Sequence, residues 1–206
     1  VIVSRLFFAL VGACFAFGGQ LHYALVCLMF SAIINVFAVQ LTGNFEQEDK
    51  VLSYTMEMDA LSDFAGYGLI PAMILLNVAQ ASLWSVILAA LYLLSVANRV
   101  AHFNRPMEYQ GEREGHDWLN LASRFGNEGY QGLPLMASSL ILPIGSLLAY
   151  ILGRPFYLSL TAVLLLLLGI AYSLNCFIPR LKDNYLLYAV FGEMVMILLF
   201  IFFGAF

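Results

Sequence analysis

The stretch Met56–Asn77, "MEMDALSDFAGYGLIPAMILLN", opens with three acids, Glu57, Asp59 and Asp63, and then runs apolar for most of a membrane's thickness. A four-residue step on a helix places Asp59 and Asp63 on one face about a turn apart, so the two carboxylates can share one cation or one polar group. Asp63 lies more than a turn into the apolar run, where an unpaired charge is costly; it needs a partner or a path to water.

The rest of the chain sets the solvent for these acids. Of 206 residues, 62% are hydrophobic and only 11% charged, and the mean hydropathy is +0.87, a balance that a soluble domain of this length does not tolerate. The composition describes a polytopic, all-α membrane protein forming a single integral membrane domain over residues 1–206. Sixteen Gly and seventeen Phe suit helices that pack closely in lipid, where small residues let backbones approach. Cys14, Cys27 and Cys176 have no metal-ligand spacing and sit in or beside apolar runs, so they read as small packing residues. Arg5 followed by an apolar stretch ending in "AFGGQ" has the look of a secretion signal, but further spans follow directly, so the segment reads as a retained helix.

Apolar runs of about 17 to 23 residues begin near Val1, Leu21, Met58, Ser82, Leu133, Phe156 and Asn184, which predicts about seven transmembrane helices. Connectors are short at "GGQ", "NVAQA" and "LGRP" and longer and polar at 42–57, 102–132 and 178–183. Arg5, Lys50, Arg99, Arg105, Arg113, Arg124, Arg180 and Lys182 fall on one side and only Arg154 on the other. That asymmetry predicts a cytoplasmic N-terminus and cytoplasmic polar loops, with Phe206 at the opposite face. The same side holds twelve of the thirteen acids, so there is no basic surface for nucleic acid. No phosphate loop, zinc spacing or Ser/His/Asp arrangement is present.

"MDALSDFAGYGLIPAMILL" resembles the third helix of the CDP-alcohol phosphotransferase superfamily, specifically its bacterial phosphatidylserine synthase branch, where that helix reads like "LDSLADVVSFGVAPALLL". Asp59, Asp63, Gly68, Pro71 and Ala72 stand at matching places. "NRVAHFN" (Asn98–Asn104) resembles an "LRLARFN" helix end, "YQGLPLMAS" (Tyr130–Ser138) the "GLP" entry to the fifth helix, and "SLNCFIPRLK" (Ser173–Lys182) the "SxxRYPSFK" segment after the sixth. The likeness covers about residues 30 to 182 and implies that family's fold, with a polar cavity facing the cytoplasm and, by default, a bacterial cytoplasmic membrane.

The superfamily signature runs Asp-x-x-Asp-Gly-x-x-Ala-Arg, eight residues, then Gly-x-x-x-Asp-x-x-x-Asp. Counting back from Asp59, its earlier positions fall on Ala38, Leu41, Thr42, Phe45, Glu46 and Thr55, so only the last two acids survive. In the family, four carboxylates hold two divalent cations that grip the CDP pyrophosphate, and the last Asp is the base toward the attacking alcohol. Two hard cations about 4 Å apart need many oxygens and much negative charge, more than two carboxylates supply. Glu46 also puts an acid where a cation would meet phosphate.

The resemblance therefore implies a catalytically degenerate phosphatidylserine synthase-like protein, a lipid-binding or structural subunit of a larger membrane complex, with membrane lipids and proteins as partners and no cofactor. The alternative is an active CDP-diacylglycerol-dependent phosphatidyltransferase using serine or a related alcohol. Its Mg²⁺ or Mn²⁺ site would be rebuilt from Asp59 and Asp63 with Glu46 or Glu57, and Asp63 would be the base. A third class is an ion or proton conductor built on Asp63 and Glu193.

Each candidate also has an ordinary reading. Asp59 and Asp63 are either the remnant of a metal site or acids at a helix N-terminus, where the macrodipole favours them by about 0.3 to 1 kcal/mol each. Arg99 and His102 either contact an anionic group or cap and snorkel at the end of the fourth span. In the branch that the chain resembles, this segment faces the site, which implies Arg99, rather than His102, as partner for Asp63 or for a lipid phosphate. Glu193 lies about ten residues into the last span and reads first as a buried neutral acid hydrogen-bonded to a neighbouring helix, with contact to a second protein or a proton path with Tyr and His side chains as alternatives. In the loop at 102–132, "HDWLNLASRFG" is amphipathic, with Trp118, Leu119, Leu121 and Phe125 as its apolar face. It either lies on the membrane surface or covers the site.

Overall fold

A computed structural model of the chain describes residues 2–42, 49–103, 129–131, 133–174, 177–179 and 183–203. Helices α1 (Ile2–Phe17) and α2 (Leu21–Thr42) form an opening hairpin. Helix α3 (Asp49–Asp63), a π-helical turn (Phe64–Leu69) and α4 (Ile70–Val78) make one continuous rod. Then come α5 (Leu83–Phe103), α6 (Ala137–Leu152), α7 (Arg154–Ser173) and α8 (Asp183–Phe203). Two short strands, β1 (Gly129–Gln131) before α6 and β2 (Phe177–Pro179) before α8, pair antiparallel with Tyr130 opposite Ile178. That pairing joins the two connectors that the charge pattern assigns to a single side.

Four helices are long and apolar enough to cross a membrane, at Leu21–Ala38, Tyr54–Val78, Leu83–Ala101 and Phe156–Ser173. Eighteen helical residues rise about 27 Å, close to the thickness of a hydrocarbon core. Among the described residues the protein is all-helical apart from its short strand pair, with the spans of an integral membrane protein. Among the described residues the seven runs expected from the sequence correspond to seven helical rods, but Val3–Phe17, Ala137–Leu148 and Tyr188–Phe202 are shorter apolar helices than the four spans. Outward faces carry Leu83, Leu94, Leu167, Phe191 and Phe202, all more than half exposed, a surface suited to lipid.

The third rod begins nine residues before the apolar run, at Asp49 rather than near Met58. Asp59 is thus in the helix interior. The macrodipole acts only within the first turn, so it does not account for an acid at that position.

Side-chain spacing decides which faces turn inward. On α1, Arg5, Ala9, Gly12 and Ala16 follow one another at steps of four, three and four, and all are buried. A Cβ on Gly12 would lie 2.6 Å from Ile70 Cδ1 and 2.8 Å from Cys27 Cβ, so only glycine lets α1 approach both α4 and α2. The α1–α2 turn closes on Gly19 (φ +80°), with Gln20 N–H donating to the Phe15 carbonyl and Gly19 N–H to that of Ala16, the two bonds of a Schellman cap. Asn77 Nδ2 at the end of α4 donates to the Phe17 carbonyl at 3.2 Å. Contacts from Arg5 with Asp59, through Gly12 with Ile70, to Phe17 with Asn77 make α1 and the third rod run parallel. Two rods separated by one returning helix must do so if all three cross.

The π-helical turn has a chemical cause in Pro71, which has no N–H for the carbonyl of Tyr67, four residues earlier. Tyr92 on α5 donates its hydroxyl to that carbonyl at 2.6 Å. The rod is therefore fixed to α5 at its irregular turn, directly after the acid pair.

Candidate functional site

Asp59 and Asp63 are brought together as their spacing requires, and the group between them is Arg5. Its Nη1 donates to Asp59 Oδ1 at 2.9 Å and to Asn35 Oδ1 at 2.9 Å, while Nη2 pairs with Asp63 Oδ1. The Tyr67 ring centroid lies 6.0 Å from the guanidinium carbon. Three oxygen acceptors from α2 and α3 thus converge on one cation from α1.

Burial is unequal across the cluster. The Arg5 side chain is 2% exposed, while those of Asp59 and Asp63 are 43% and 29% exposed. The cation is locked inside and the two acids reach outward past it. A guanidinium stays charged at any physiological pH, so its desolvation must be offset by these carboxylates. One positive and two negative charges leave a local balance of −1.

This is not a good divalent-cation site. The inner oxygens of both acids are already engaged, and among the described residues no group of three or more His, Cys, Asp or Glu stands where it could hold a metal ion. Glu57 does not join the pair: two residues from Asp59 it points about 200° round the helix. It lines a groove of about 570 Å³ with Ala60, Leu61, Phe64, Ala97, Val100 and Ala101. Glu46, the side chain of His102 and the amphipathic segment within 102–132 lie outside the described residues.

Of the two partners expected for Arg99, Asp63 is corrected: it pairs with Arg5. Arg99 is 1% exposed, at the end of an inward stripe of α5 through Ser85, Ala89, Tyr92 and Val96. It does not snorkel; it lies within electrostatic reach of Tyr172 on α7. Glu193 is where the sequence reading puts it, 4% exposed within α8, with Oε1 2.5 Å from Ser139 Oγ.

Sequence reasoning missed Arg5 and Asn35 as site residues because it counted Arg5 only toward topology and overlooked Asn35. Both carry a signal in their spacing. Arg5 is in phase with the small residues Ala9, Gly12 and Ala16, and Asn35 with Ala24, Leu28 and Ser31, the inward face of α2. A polar residue in phase with a buried stripe in a membrane helix requires an interior partner.

Searches for similar proteins add no further assignment: no protein-family model matches the chain, and no curated protein matches it.

Proposed function

We propose that this protein is a catalytically degenerate relative of the phosphatidylserine synthase branch of the CDP-alcohol phosphotransferases, in which Arg5 serves as an internal counter-ion where that family uses metal. It acts as a lipid-binding or structural subunit of a larger membrane complex. It works in a bacterial cytoplasmic membrane with its N-terminus and polar loops in the cytoplasm, an orientation supported by the eight-to-one distribution of basic residues.

The observation that carries the reading is the guanidinium fork on Asp59 and Asp63. Gripping a pyrophosphate through two cations needs a strongly negative pocket. Here the charge of the two surviving acids is halved, to a balance of −1, by a side chain that cannot dissociate. The lost signature positions and this internal cation point the same way: a fold retained without its metal chemistry, free to hold lipid or protein.

The test is CMP release from CDP-diacylglycerol by the purified protein with Mg²⁺ or Mn²⁺, offering serine, glycerol phosphate or inositol phosphate, with Asp63→Asn as control. The reading expects no release from folded protein and co-purification of stoichiometric membrane partners. Release abolished by Asp63→Asn would replace it with an active phosphatidyltransferase whose base is Asp63.

A further inference from the structure

Glu193 is the acid placed deepest in a membrane helix, and its surroundings offer it two charge states at little structural cost. Both recorded ion pairs among the described residues belong to Arg5, so none reaches Glu193. Its Oε1 is 2.5 Å from Ser139 Oγ in the first turn of α6, and the same Oγ is 2.7 Å from the Met136 carbonyl oxygen.

A serine hydroxyl has one hydrogen to donate, so it can satisfy only one of these neighbours at a time. If it donates to Glu193, the acid is a carboxylate. If it donates to Met136, Glu193 must carry a proton and donate to Oγ. The Met136 carbonyl also accepts the Ser139 N–H at 3.1 Å, so turning the hydroxyl away does not orphan it. Neither state leaves a buried polar atom of this group unsatisfied, the usual obstacle to changing a charge inside a protein.

The balance between the states is set by opposing forces. The first turn of α6 favours negative charge through its amide groups. Burial among apolar helices opposes it. Pro143 has no N–H for the Ser139 carbonyl four residues earlier, which leaves a backbone acceptor at the residue that meets Glu193 and favours a donor there.

Few other titratable groups bear on it. Helices α2 and α6 pack against α8. On α2 these groups are His22 and Tyr23 in the first turn and Cys27, which faces Gly12 of α1; on α6 there is only Tyr150 toward the far end. From the π-helical turn comes Tyr67, 1% exposed, whose hydroxyl stands beside Asn35 without closing a hydrogen bond and lies within electrostatic reach of Glu193 and Arg5. Arg5 in turn touches Asp63, whose outer edge is accessible.

We propose that Glu193 is a reversible proton-binding site inside the membrane, with Ser139 as the hydroxyl that turns to follow its charge. On uptake, a proton forms an O–H bond on the Glu193 carboxylate and the Ser139 hydroxyl turns to the Met136 carbonyl; release is the reverse. No other covalent bond changes. The inference does not depend on the family reading above.

The experiment is infrared difference spectroscopy on the protein in phosphatidylethanolamine and phosphatidylglycerol vesicles, with the pH stepped and carbon-13 glutamate used to assign bands. The expected result is a protonated-carboxyl band that moves with the label, weakens as pH rises and is missing in Glu193→Gln. Ser139→Ala, which retains the acid and so serves if Glu193→Gln does not fold, shifts that band. A labelled band that ignores pH, persists in Glu193→Gln or fails to shift in Ser139→Ala would overturn the proposal.

Discussion

Arg5 donates to Asp59 Oδ1 at 2.9 Å across 54 positions of sequence, and its other terminal nitrogen pairs with Asp63. The link fastens the start of α1 to the rod that carries the acids. A metal ion seeking both carboxylates would have to displace a buried, permanently charged side chain from three oxygen acceptors. That would leave the guanidinium unpaired in an apolar interior, at a cost of several kcal/mol, on the order of 3–5 kcal/mol.

One carboxylate is enough to keep Arg5 neutralised, so the two acids act as mutual backups. Asp59→Asn and Asp63→Asn should each lower stability by about 1–3 kcal/mol. The double variant strands the buried cation, and a double-mutant cycle should show a coupling of about 1 kcal/mol or more. Thermal unfolding of the four proteins in one detergent measures this. Strict additivity would mean that Arg5 is not shared.

Glycine has opposite meanings at positions 12 and 192. A methyl group at Gly12 meets Ile70 and Cys27 at under 3 Å, whereas at Gly192 nothing lies within 4 Å. Gly12→Ala should destabilise by about 1–3 kcal/mol through overpacking. Gly192→Ala should be neutral or slightly stabilising, because a helix interior prefers alanine. Unfolding midpoints of the two variants, purified identically, check the contrast.

Tyr92→Phe removes the donor to the Tyr67 carbonyl while keeping the ring. Leaving that buried acceptor without its donor costs about 1–3 kcal/mol. Amide hydrogen exchange should rise in Phe64–Leu69 more than in α7. Uniform exchange across both segments would argue that Tyr92 does not hold the π-helical turn.

Glu57→Gln removes a charge from the groove beside α5 and not from the acid pair. Its effect on stability should stay within about 0.5 kcal/mol, as for an ordinary surface change. A loss comparable to that of Asp63→Asn would place Glu57 in the cluster after all.

Much of the architecture was legible because hydropathy and helix periodicity are local properties. The runs at Leu21, Ser82 and Phe156 gave spans of the expected kind, and the four-residue step put Asp59 and Asp63 on one face. The start of α3 at Asp49 was not legible, since the segment before Met58 is polar and hydropathy marks where a helix enters lipid rather than where it begins. The partner of Asp63 was missed for a different reason. Arg99 lies near the end of a span and Arg5 near the start of another, and only the parallel packing of α1 on the third rod decides between them. The four-residue step placed the two acids on one face; it carried no information about which helix that face meets.

The most direct test of the central claim is Mn²⁺ binding, read by electron paramagnetic resonance on the purified protein in vesicles, beside Asp63→Asn and Arg5→Ala. Arg5 as resident cation predicts that wild type and Asp63→Asn give the same spectrum of free Mn²⁺, while Arg5→Ala, with both carboxylates released, takes up the ion. Bound Mn²⁺ in the wild type that Asp63→Asn abolishes would contradict the account, because the acid pair would then hold metal with Arg5 still in place.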